Sequence, residues 1–302
     1  MLLNFKPLDR VHAEGLLELC LMNNYGTCDT TPLTLWLWAP FYKTEYAEAL
    51  SLSKRRMVFI RHTKPCSRLA YMFPMCHEDD TAEALDILEQ NVGERIIFTN
   101  VTSLQNDVLL KRYGERADSL NKRDWADYIY DSEDLSFFKG KRFSGQRNHM
   151  NSFIKSEPEW RFVKITQDNA HLATDFLRTL EKDLPAPSDA FELFERTSTK
   201  DLFSDYSFSG MLGGYIETKN GIVALAVGEV IGDMLYVHIE KAMRNVRGAY
   251  QMIVSQFSQA FAINGVRYIN REEDVGDEGL RTSKLSYHPI KLNEKYTVAI
   301  KA

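Results

Sequence analysis

The sequence has few cysteines, and their positions do not suit disulfide bonds or a zinc site. The four, Cys20, Cys28, Cys66 and Cys76, all lie in the first quarter of the 302 residues, and no two form a Cys-x-x-Cys pair. A disulfide framework and a zinc ribbon are therefore disfavoured. His77 follows Cys76, but no second ligand pair lies at short spacing, so we expect buried thiols and no metal site.

Long apolar runs and an excess of positive charge are also missing. No stretch approaches the about 18 apolar residues of a membrane span, and charged residues from Lys6 to Arg10 interrupt the region where a signal peptide needs an apolar core. We therefore expect no transmembrane segment and a cytoplasmic protein. The net charge of −5 gives no global cationic field, so nucleic acid or an anionic bilayer would need a local basic patch.

The composition that remains is that of a globular protein. The chain is 44% hydrophobic and 26% charged, which excludes disorder and collagen-like repeats. Its length is about twice that of a common domain, so we expect two domains. Residues 121–134 lose hydrophobic periodicity and become charged, as a crossover between domains does. We place the boundary near residue 125, with a structural N-terminal unit at 1–125 and a C-terminal unit at 126–302 that carries the active site.

Hydrophobic periodicity predicts strands and helices in both halves. The N-terminal half has the order β, α, β, β, α, β, α, and the C-terminal half contains a three-stranded meander with hairpin residues at Asn220-Gly221 and Gly232-Asp233. This order predicts a mixed α/β, or α+β, fold with helices flanking a mostly antiparallel sheet. The predicted elements include the helices 135–154, 247–263 and 277–286 and the strands 2–5, 57–61, 69–75, 213–218, 222–230, 234–241, 266–270 and 296–300, with Pro65 in the turn between the second and third of these strands.

A row of polar side chains lies on one face of the predicted meander. Because side chains alternate along a strand, His238 and Glu240 share a face of its third strand, and Glu229 lies on the second. An exposed sheet face would also carry such a row. Val237 and Ile239 on the opposite face are core-like, however, and helices should cover both faces. His238 and Glu240 then need partners or a ligand.

An acidic segment follows the next predicted strand. Residues 270–279 contain five acids and one arginine. Carboxylates in a loop at a strand end can bind an amine, act as a base with a raised pKa, or hold a cation. Asp277 and Glu278 suit the first turn of the following helix and are assigned to capping. The candidate substrate-binding residues are Glu229, Asn270, Arg271, Glu272, Glu273 and Asp274.

Two basic segments are candidate phosphate sites. Residues 139–149 carry four cationic side chains and no acid, a composition that suits a phosphate of RNA or lipid. Residues 240–250 pass from a strand through a basic loop into a helix, whose N-terminus offers free N–H groups. Either segment is equally typical of a solvated surface. The candidate phosphate-binding residues are Lys139, Lys141, Arg142, Arg147, Asn148, Arg244 and Arg247.

At these segments the sequence resembles the phosphatidylglycerol lysyltransferase C-terminal domain family, a bacterial group built from two tandem GNAT acyltransferase folds. The resemblance covers most of the chain and is densest in the second half. It implies two tandem GNAT-like domains here. The segments that carry it are 128–130 with 134–135, 139–151, 238–242 with 248–251, 269–281 and 284–289, together with Trp36 and Trp38.

The resemblance further implies a transfer reaction without a cofactor. Members of related groups move an aminoacyl group from aminoacyl-tRNA to a lipid headgroup, or attach amino acids to peptidoglycan precursors, so the implied partners are aminoacyl-tRNA and a lipid headgroup at the membrane surface. Lipid-modifying relatives usually carry a membrane-spanning N-terminal portion, for which we see no counterpart. Ordinary GNAT enzymes bind acyl-CoA through Arg/Gln-x-x-Gly-x-Gly/Ala. Arg247 replaces the first of these glycines, which counts against a plain acetyl-CoA acetyltransferase.

Aminoacyl transfer needs a base, donors for the developing oxyanion, and a proton for the departing ribose oxygen. In the GNAT arrangement, the third meander strand and the strand after it splay apart and leave a gap for the substrate carbonyl. We assign the base to His238 or Glu240 and the leaving oxygen to Tyr287 or Lys284.

The donor's α-amino group is assigned to Glu272 and Glu273. Two other functions stay open at this point. One is a non-catalytic module that senses a lipid headgroup, nucleotide or amino acid, and the other is a small-molecule N-acyltransferase that uses acyl-CoA.

Overall fold

A computed structural model describes residues 2–23, 26–63, 68–93, 95–204 and 206–301. These residues form fourteen strands and eleven α-helices. The strands are β1 (Lys6–Pro7), β2 (Glu45–Leu50), β3 (Arg56–Thr63), β4 (Leu69–Tyr71), β5 (Ile96–Thr102), β6 (Ala117–Asn121), β7 (Asp127–Asp131), β8 (Arg161–Lys164), β9 (Leu212–Thr218), β10 (Gly221–Ile231), β11 (Met234–Ala242), β12 (Tyr268–Asn270), β13 (Lys291–Asn293) and β14 (Lys295–Ile300). The helices are α1 (Arg10–Glu14), α2 (Leu17–Met22), α3 (Pro32–Tyr42), α4 (Thr81–Val92), α5 (Ser103–Tyr113), α6 (Ser132–Phe137), α7 (Ser144–Ser156), α8 (Ala170–Lys182), α9 (Ala190–Leu202), α10 (Ala249–Phe261) and α11 (Glu278–Ser286).

The chain forms two units, each built on a seven-stranded sheet. The first sheet has the order β1-β2-β3-β4-β5-β14-β6, and the second has the order β13-β7-β12-β11-β10-β9-β8. Most neighbouring strands pair antiparallel, whereas β4 with β5 and β11 with β12 are parallel. Two mostly antiparallel sheets flanked by helices confirm the predicted α+β fold class. The first unit contains Met1–Asp127, Glu273–Gly276 and Leu292–Ala302, and the second contains Tyr128–Glu272 and Asp277–Lys291.

Several strands lie where the sequence pattern did not place them. The last strand, β14, pairs with β5 and β6 in the first sheet, although it follows the second unit in the sequence. β7 lies inside the segment interpreted as an aperiodic crossover, and four of its five residues are buried. A strand buried on both faces shows no alternation of polar and apolar residues, so the sequence pattern does not predict it. The prediction of a strand at 2–5 is wrong, since β1 covers Lys6–Pro7.

In the first unit, the sequence pattern does not predict one helix, α3, and one strand, β2, which precede the predicted strand at 57–61. α3 begins after the side chain of Thr31 caps it, and β2 follows and pairs antiparallel with β3. The predicted strand at 69–75 is shorter, since β4 covers only Leu69–Tyr71. Pro65 and Cys66 lie outside the described residues, so the predicted turn between these strands is not tested.

The predicted meander of the second unit is confirmed. β9, β10 and β11 pair antiparallel in succession, with left-handed glycines at Gly221 and Gly232 in the two turns. α10 packs on this sheet through buried side chains such as Ile253 and Phe257. The parallel pairing of β11 with β12 covers only residues 234–236 of β11, which continues to Ala242. The two strands therefore part within β11, as the family resemblance implied.

The single helix predicted over 135–154 is wrong. α6 ends at Phe137, and the next residue, Phe138, has a left-handed backbone with φ 47°, as does Gly140 with φ 85°. The Phe138 ring is fully buried against Phe143 and Tyr287, with ring centroids 5.7 Å apart in both cases. Burial of this ring overrides the helical periodicity, and α7 starts only at Ser144. Among the described residues, no helix combines the length and the apolarity that crossing a membrane requires.

α7 and α10 approach each other at a glycine. Gly248 precedes α10 with φ 87°, and a Cβ atom there would lie 2.3 Å from the carbonyl oxygen of His149 and 2.9 Å from the Cβ of Phe153. A left-handed backbone favours glycine, and the close carbonyl leaves no space for a side chain. The start of α10 is therefore covered by α7.

We predict that Gly248→Ala destabilises the protein far more than Gly210→Ala. Gly210 has a similar φ of 82° but no atom within 4 Å of its added Cβ. The control should lose about 1 kcal/mol from backbone strain, and Gly248→Ala about 2 kcal/mol more from the clash. Urea unfolding of both variants measures the difference. Equal losses would show that α7 moves away freely.

Candidate active site

A small cavity lies where β11 and β12 part. It is close to the size that holds one water molecule. Its walls are mostly apolar and contain one acidic and one basic side chain. The hydroxyl in its wall, that of Ser258, donates a 2.7 Å hydrogen bond to the carbonyl oxygen of Val254. The lining residues are Leu135, Val237, Glu240, Val254, Phe257, Ser258, Ile269 and Arg271.

The two charged residues of this cavity form a buried ion pair. Arg271 Nη2 lies 2.6 Å from Glu240 Oε1, and the side chains are only 9% and 14% exposed. Burial alone lowers the pKa of Arg271, but the negative charge of Glu240 outweighs it and the pKa is raised. The guanidinium also lies over the rings of Tyr287, at 4.5 Å, and Tyr130, at 5.6 Å. Among the described residues, no group accepts a hydrogen bond from Arg271 Nη1.

A second polar group on the same strand consists of His238 between two glutamates. Its Nε2 lies 3.0 Å from Glu229 Oε1 and its Nδ1 lies 2.9 Å from Glu272 Oε1, and the ring is 2% exposed. Burial lowers the pKa of His238, but hydrogen bonds to Glu229 and Glu272 outweigh it and raise the pKa to about 9. We therefore expect a charged imidazolium that donates to both carboxylates near neutral pH.

Local backbone geometry places Glu272 beside this ring. Glu272 follows the end of β12 with a left-handed φ of 58°, which is uncommon for a residue with a side chain. The side chain of Asn270, fully buried, accepts a 2.8 Å hydrogen bond from the Glu272 N–H. Glu229 reaches the ring from β10, where it pairs with Tyr236 of β11. The partners that a buried His238 requires are thus Glu229 and Glu272.

This geometry changes the role assigned to His238. An imidazolium that donates from both nitrogens has no lone pair with which to accept a proton. His238 therefore does not suit the general base, and Glu240 is the better candidate of the two. His238 instead holds Glu272 in place.

Lys284 and Tyr287, assigned to the leaving oxygen, lie around Arg271. Lys284 is 8% exposed, and its Nζ donates a hydrogen bond to the carbonyl oxygen of Arg271. Tyr130 donates its hydroxyl to the carbonyl oxygen of Lys284 at 2.8 Å. Tyr287 is 3% exposed, and burial raises the pKa of its hydroxyl. Both side chains therefore support Arg271, and neither reaches an open surface.

Glu273 and Asp274, also predicted to bind substrate, belong to the first unit. Glu273 Oε2 lies 3.1 Å from Lys295 Nζ, and the fully buried Asp274 lies 3.1 Å from Arg123 Nη1. The structure therefore separates the acidic segment: Asn270, Arg271 and Glu272 belong to the second unit, and the next two acids do not. The acidic residues follow one another in the sequence, and nothing in their order predicts that they belong to two units.

Sequence reasoning missed a buried charge cluster in the first unit. Lys295 Nζ lies 2.6 Å from Asp29, 2.7 Å from Asp127 and 3.1 Å from Glu273, and it is 3.5 Å from the sulfur of Cys28. Burial lowers the pKa of Lys295, but the carboxylates, Asp127 foremost, outweigh it and raise it. Burial raises the pKa of the Cys28 thiol, so it stays protonated.

Cys28, Asp29 and Asp127 of this cluster have side-chain atoms within 4.8 Å of one another, a spacing that suits a metal ion. The ammonium of Lys295, however, lies within hydrogen-bond distance of both carboxylates and takes the place of a cation. Its three N–H groups match three carboxylates. The residues are scattered over more than 250 positions, so no local motif could have revealed the cluster.

The predicted phosphate ligands divide into two sets. Some have partners within the chain: Lys139 contacts Glu133, Arg142 pairs with Asp134, and Arg147 donates to the carbonyl oxygens of Phe138 and Gly140. The start of α10 lies against the His149 carbonyl, which speaks against an anion at this helix end. The remaining candidates are exposed and stay predictions: Lys141, Asn148, Arg244 and Arg247.

Comparison with known families assigns the chain. The profile described as phosphatidylglycerol lysyltransferase, C-terminal, matches residues 25–299. The chain belongs to this family. This membership confirms the resemblance seen in the sequence, the tandem GNAT-like fold that it implied, and the prediction of an acyltransferase at the level of reaction class.

Three solved structures share this fold over nearly the whole chain. A conserved protein of unknown function from Bacteroides thetaiotaomicron is 29% identical, with a TM-score of 0.89, and covers 99% of this chain and 100% of its own. The C-terminal domain of a protein named as a lysylphosphatidylglycerol synthetase from Agrobacterium fabrum has a TM-score of 0.65 at 12% identity, covering 97% and 92%. FemX has a TM-score of 0.60 at 9% identity, covering 98% and 96%.

A protein related in sequence is similar over most of the chain. An uncharacterized protein of Mycoplasmoides gallisepticum is 22% identical over 259 residues, which is 83% of this chain and 82% of the relative. The similarity thus includes parts of both units in a further bacterial protein. Neither this relative nor the Bacteroides protein carries a description of a substrate.

We predict that His238 makes the folding stability fall at alkaline pH. Its pKa is raised from 6.5 to about 9, so its contribution is complete below pH 6.5 and is lost as the pH rises through 9. The loss should approach about 3 kcal/mol. Urea unfolding of the parent and of His238→Gln at pH 6.5, 8 and 9.5 measures it, and the variant should lack this part of the slope. Parallel pH profiles would contradict the prediction.

We predict that Lys295→Met destabilises the first unit strongly. Removal of the ammonium leaves the fully buried Asp127 close to the partly buried Asp29 and Glu273 without a positive charge, which should cost about 3 to 5 kcal/mol. Lys301→Met, which breaks an exposed pair with Asp118, should cost less than about 1 kcal/mol. Thermal and urea unfolding compare the two variants, and a small loss for Lys295→Met would mean that the carboxylates take up protons instead.

Proposed function

We propose that the protein transfers an aminoacyl group from aminoacyl-tRNA to the amine or hydroxyl of an acceptor, with a lipid headgroup as the first candidate. The observation that carries this proposal is the Glu240–Arg271 pair in a cavity at the point where β11 and β12 part. Such a gap between strands gives a carbonyl group access to donors inside a protected site. The family description, which names lysyl transfer to phosphatidylglycerol, supports the substrate class.

The reaction that we propose is an acyl substitution. The acceptor's nitrogen or oxygen attacks the ester carbonyl carbon, and Glu240 takes the proton that the acceptor loses. The tetrahedral intermediate then collapses, the bond between the carbonyl carbon and the ribose oxygen breaks, and the ribose oxygen receives the proton from Glu240. The products are the aminoacylated acceptor and tRNA with a free terminal hydroxyl.

Glu272 is the proposed ligand of the donor's α-ammonium group. His238 lies between Glu229 and Glu272 and fixes the orientation of both carboxylates. The Glu272 side chain is 27% exposed, whereas the Glu229 side chain is 4% exposed. A ligand ammonium could therefore reach Glu272 from solvent, whereas Glu229 is closed to it. The arrangement supports a donor that carries a free amino group.

The acyl-CoA alternative has less support in the structure. A pyrophosphate would need the N–H groups at the start of α10, and this end is packed against α7. Arg247 also stands where an acyl-CoA loop has glycine. Exposed Arg244 and Arg247 beside this end suit a looser contact, such as the phosphates of tRNA or of a lipid.

We predict that Glu240→Gln lowers the turnover of aminoacyl transfer by about 100-fold or more, because the amide cannot take the acceptor's proton. The assay follows consumption of lysyl-tRNA, and of other aminoacyl-tRNAs, by purified protein with phosphatidylglycerol vesicles or muropeptides as acceptors. Glu217→Gln is the matched control, since Glu217 of β9 pairs with Arg161 of the edge strand β8.

Each outcome of this assay has a distinct meaning. Product in the parent and in Glu217→Gln, with little in Glu240→Gln, supports the proposal. Equal turnover in all three proteins would remove Glu240 from the mechanism. Saturable binding of a donor or acceptor without any product would favour a sensing module, and protection by coenzyme A against thermal unfolding would favour the acyl-CoA reaction.

A further inference from the structure

We infer that Arg271 Nη1 donates the hydrogen bond that stabilises the carbonyl oxygen of the acyl donor as it becomes an oxyanion. This inference rests on the proposed function and names the donor for the oxyanion, which the proposed mechanism still lacks. Arg271 would then be a catalytic residue, in addition to its pairing with Glu240. Two independent observations carry it, an unsatisfied donor and a cavity of matching size.

The unsatisfied donor is the first observation. Arg271 is 91% buried, and its Nη2 is used by Glu240 at 2.6 Å, but Nη1 finds no acceptor among the described residues. A buried donor without a partner destabilises the folded protein, and it does so more strongly when it is charged. Buried donors are therefore nearly always satisfied by protein or by ordered water. An unsatisfied guanidinium N–H in a candidate active site is a position where a ligand oxygen would be bound.

The size of the cavity is the second observation. Arg271 and Glu240 line a space for about one water molecule, surrounded by Val237, Phe257 and Ile269. A single oxygen atom fits such a space, whereas an amino acid side chain or a lipid headgroup does not. Apolar walls lower the local dielectric, which strengthens a hydrogen bond to a developing negative charge. The carbonyl oxygen of the acyl donor is the single atom that this space would hold.

The surroundings of Arg271 hold its guanidinium in place before substrate binds. Glu240 fixes one edge, the ring of Tyr287 covers one face at 4.5 Å, and Lys284 holds the backbone through the Arg271 carbonyl oxygen. A donor fixed in advance needs no reorganisation during the reaction. Lys284 and Tyr287 are therefore positioning residues that act through Arg271.

The step is balanced without further reactants. Attack by the acceptor moves the carbonyl π electrons onto oxygen, and Arg271 Nη1 donates a hydrogen bond to this oxyanion without losing its proton. When the bond to the ribose oxygen breaks, the carbonyl double bond forms again and the negative charge leaves the oxygen. Glu240 carries the proton from acceptor to leaving group throughout.

The experiment compares Arg271→Lys and Arg271→Gln with Arg267→Lys. Lysine keeps the positive charge near Glu240 but removes the second guanidinium nitrogen, and glutamine keeps an N–H donor without charge. Arg267 is the matched control because it is an exposed arginine that lies over the ring of Tyr268. Circular dichroism and thermal unfolding establish which variants are folded. We expect kcat to fall by about 100- to 1000-fold in both Arg271 variants, with KM for lysyl-tRNA within about threefold of the parent.

A binding measurement gives a readout that does not depend on turnover. Calorimetry compares lysinamide, which has a trigonal carbonyl, with the phosphonate analogue of lysine, which presents a tetrahedral anion. The parent and Arg267→Lys should bind the phosphonate more tightly than the amide, and the Arg271 variants should lose this preference while keeping affinity for lysinamide. A structural role for Arg271 would weaken both ligands alike.

The two measurements separate failure of the inference from failure of the proposed function. An active parent whose Arg271 variants keep kcat, or keep the preference for the phosphonate, would overturn the role of Nη1 and leave the transfer reaction standing. A parent that transfers nothing from any aminoacyl-tRNA, but whose preference for the phosphonate depends on Arg271, would support the anion-stabilising role and overturn the aminoacyl-tRNA reaction.

Discussion

The ion pair between Glu240 and Arg271 organises the candidate site. It joins β11 to the residue that follows β12, at the point where their pairing has ended and backbone hydrogen bonds no longer hold the two strands together. Burial would be costly for either charge alone, and the pair, the flanking tyrosine rings and Lys284 offset that cost. The gap between the strands therefore contains a fixed pair of charged side chains among mostly apolar residues. The cavity and the uncommitted nitrogen of Arg271 both follow from this arrangement.

Buried charges recur in both units with different consequences. In the second unit, one imidazolium lies between Glu229 and Glu272 and keeps a partly exposed carboxylate in a fixed orientation. In the first unit, the ammonium of Lys295 contacts three carboxylates at once and fills the position that a metal ion would take. Both arrangements meet the same requirement, that a buried charge has an opposite charge nearby. In the second unit the pairing fixes the orientation of Glu272, and in the first unit it occupies all three carboxylates.

We propose that the reaction takes place in the second unit, and the geometry there changes the roles that residue type alone suggests. His238 has the residue type of a general base, but its two carboxylate partners keep it protonated, so the base that we propose is Glu240. Lys284 and Tyr287 have the residue types of acid catalysts, but their contacts direct them toward Arg271. Arg271, which the sequence offered only as a substrate ligand, becomes the centre of the arrangement. Residue type shows which side chains could transfer a proton, and their hydrogen bonds show which of them are already engaged within the protein.

The sequence by itself determined the family, the α+β class, the meander of β9, β10 and β11, and the membership of His238, Glu240 and Arg271 in one polar region. These features rest on short-range patterns: alternation along a strand, turn residues between strands and motifs within a few dozen positions. Only the tertiary structure decided that β14 joins the first sheet, that Phe138 breaks a helix, and that Glu273 belongs with Lys295 and not with Glu272. Strand pairing and burial of charge are set by residues far apart in the chain, and single-sequence periodicity carries no information about such distances.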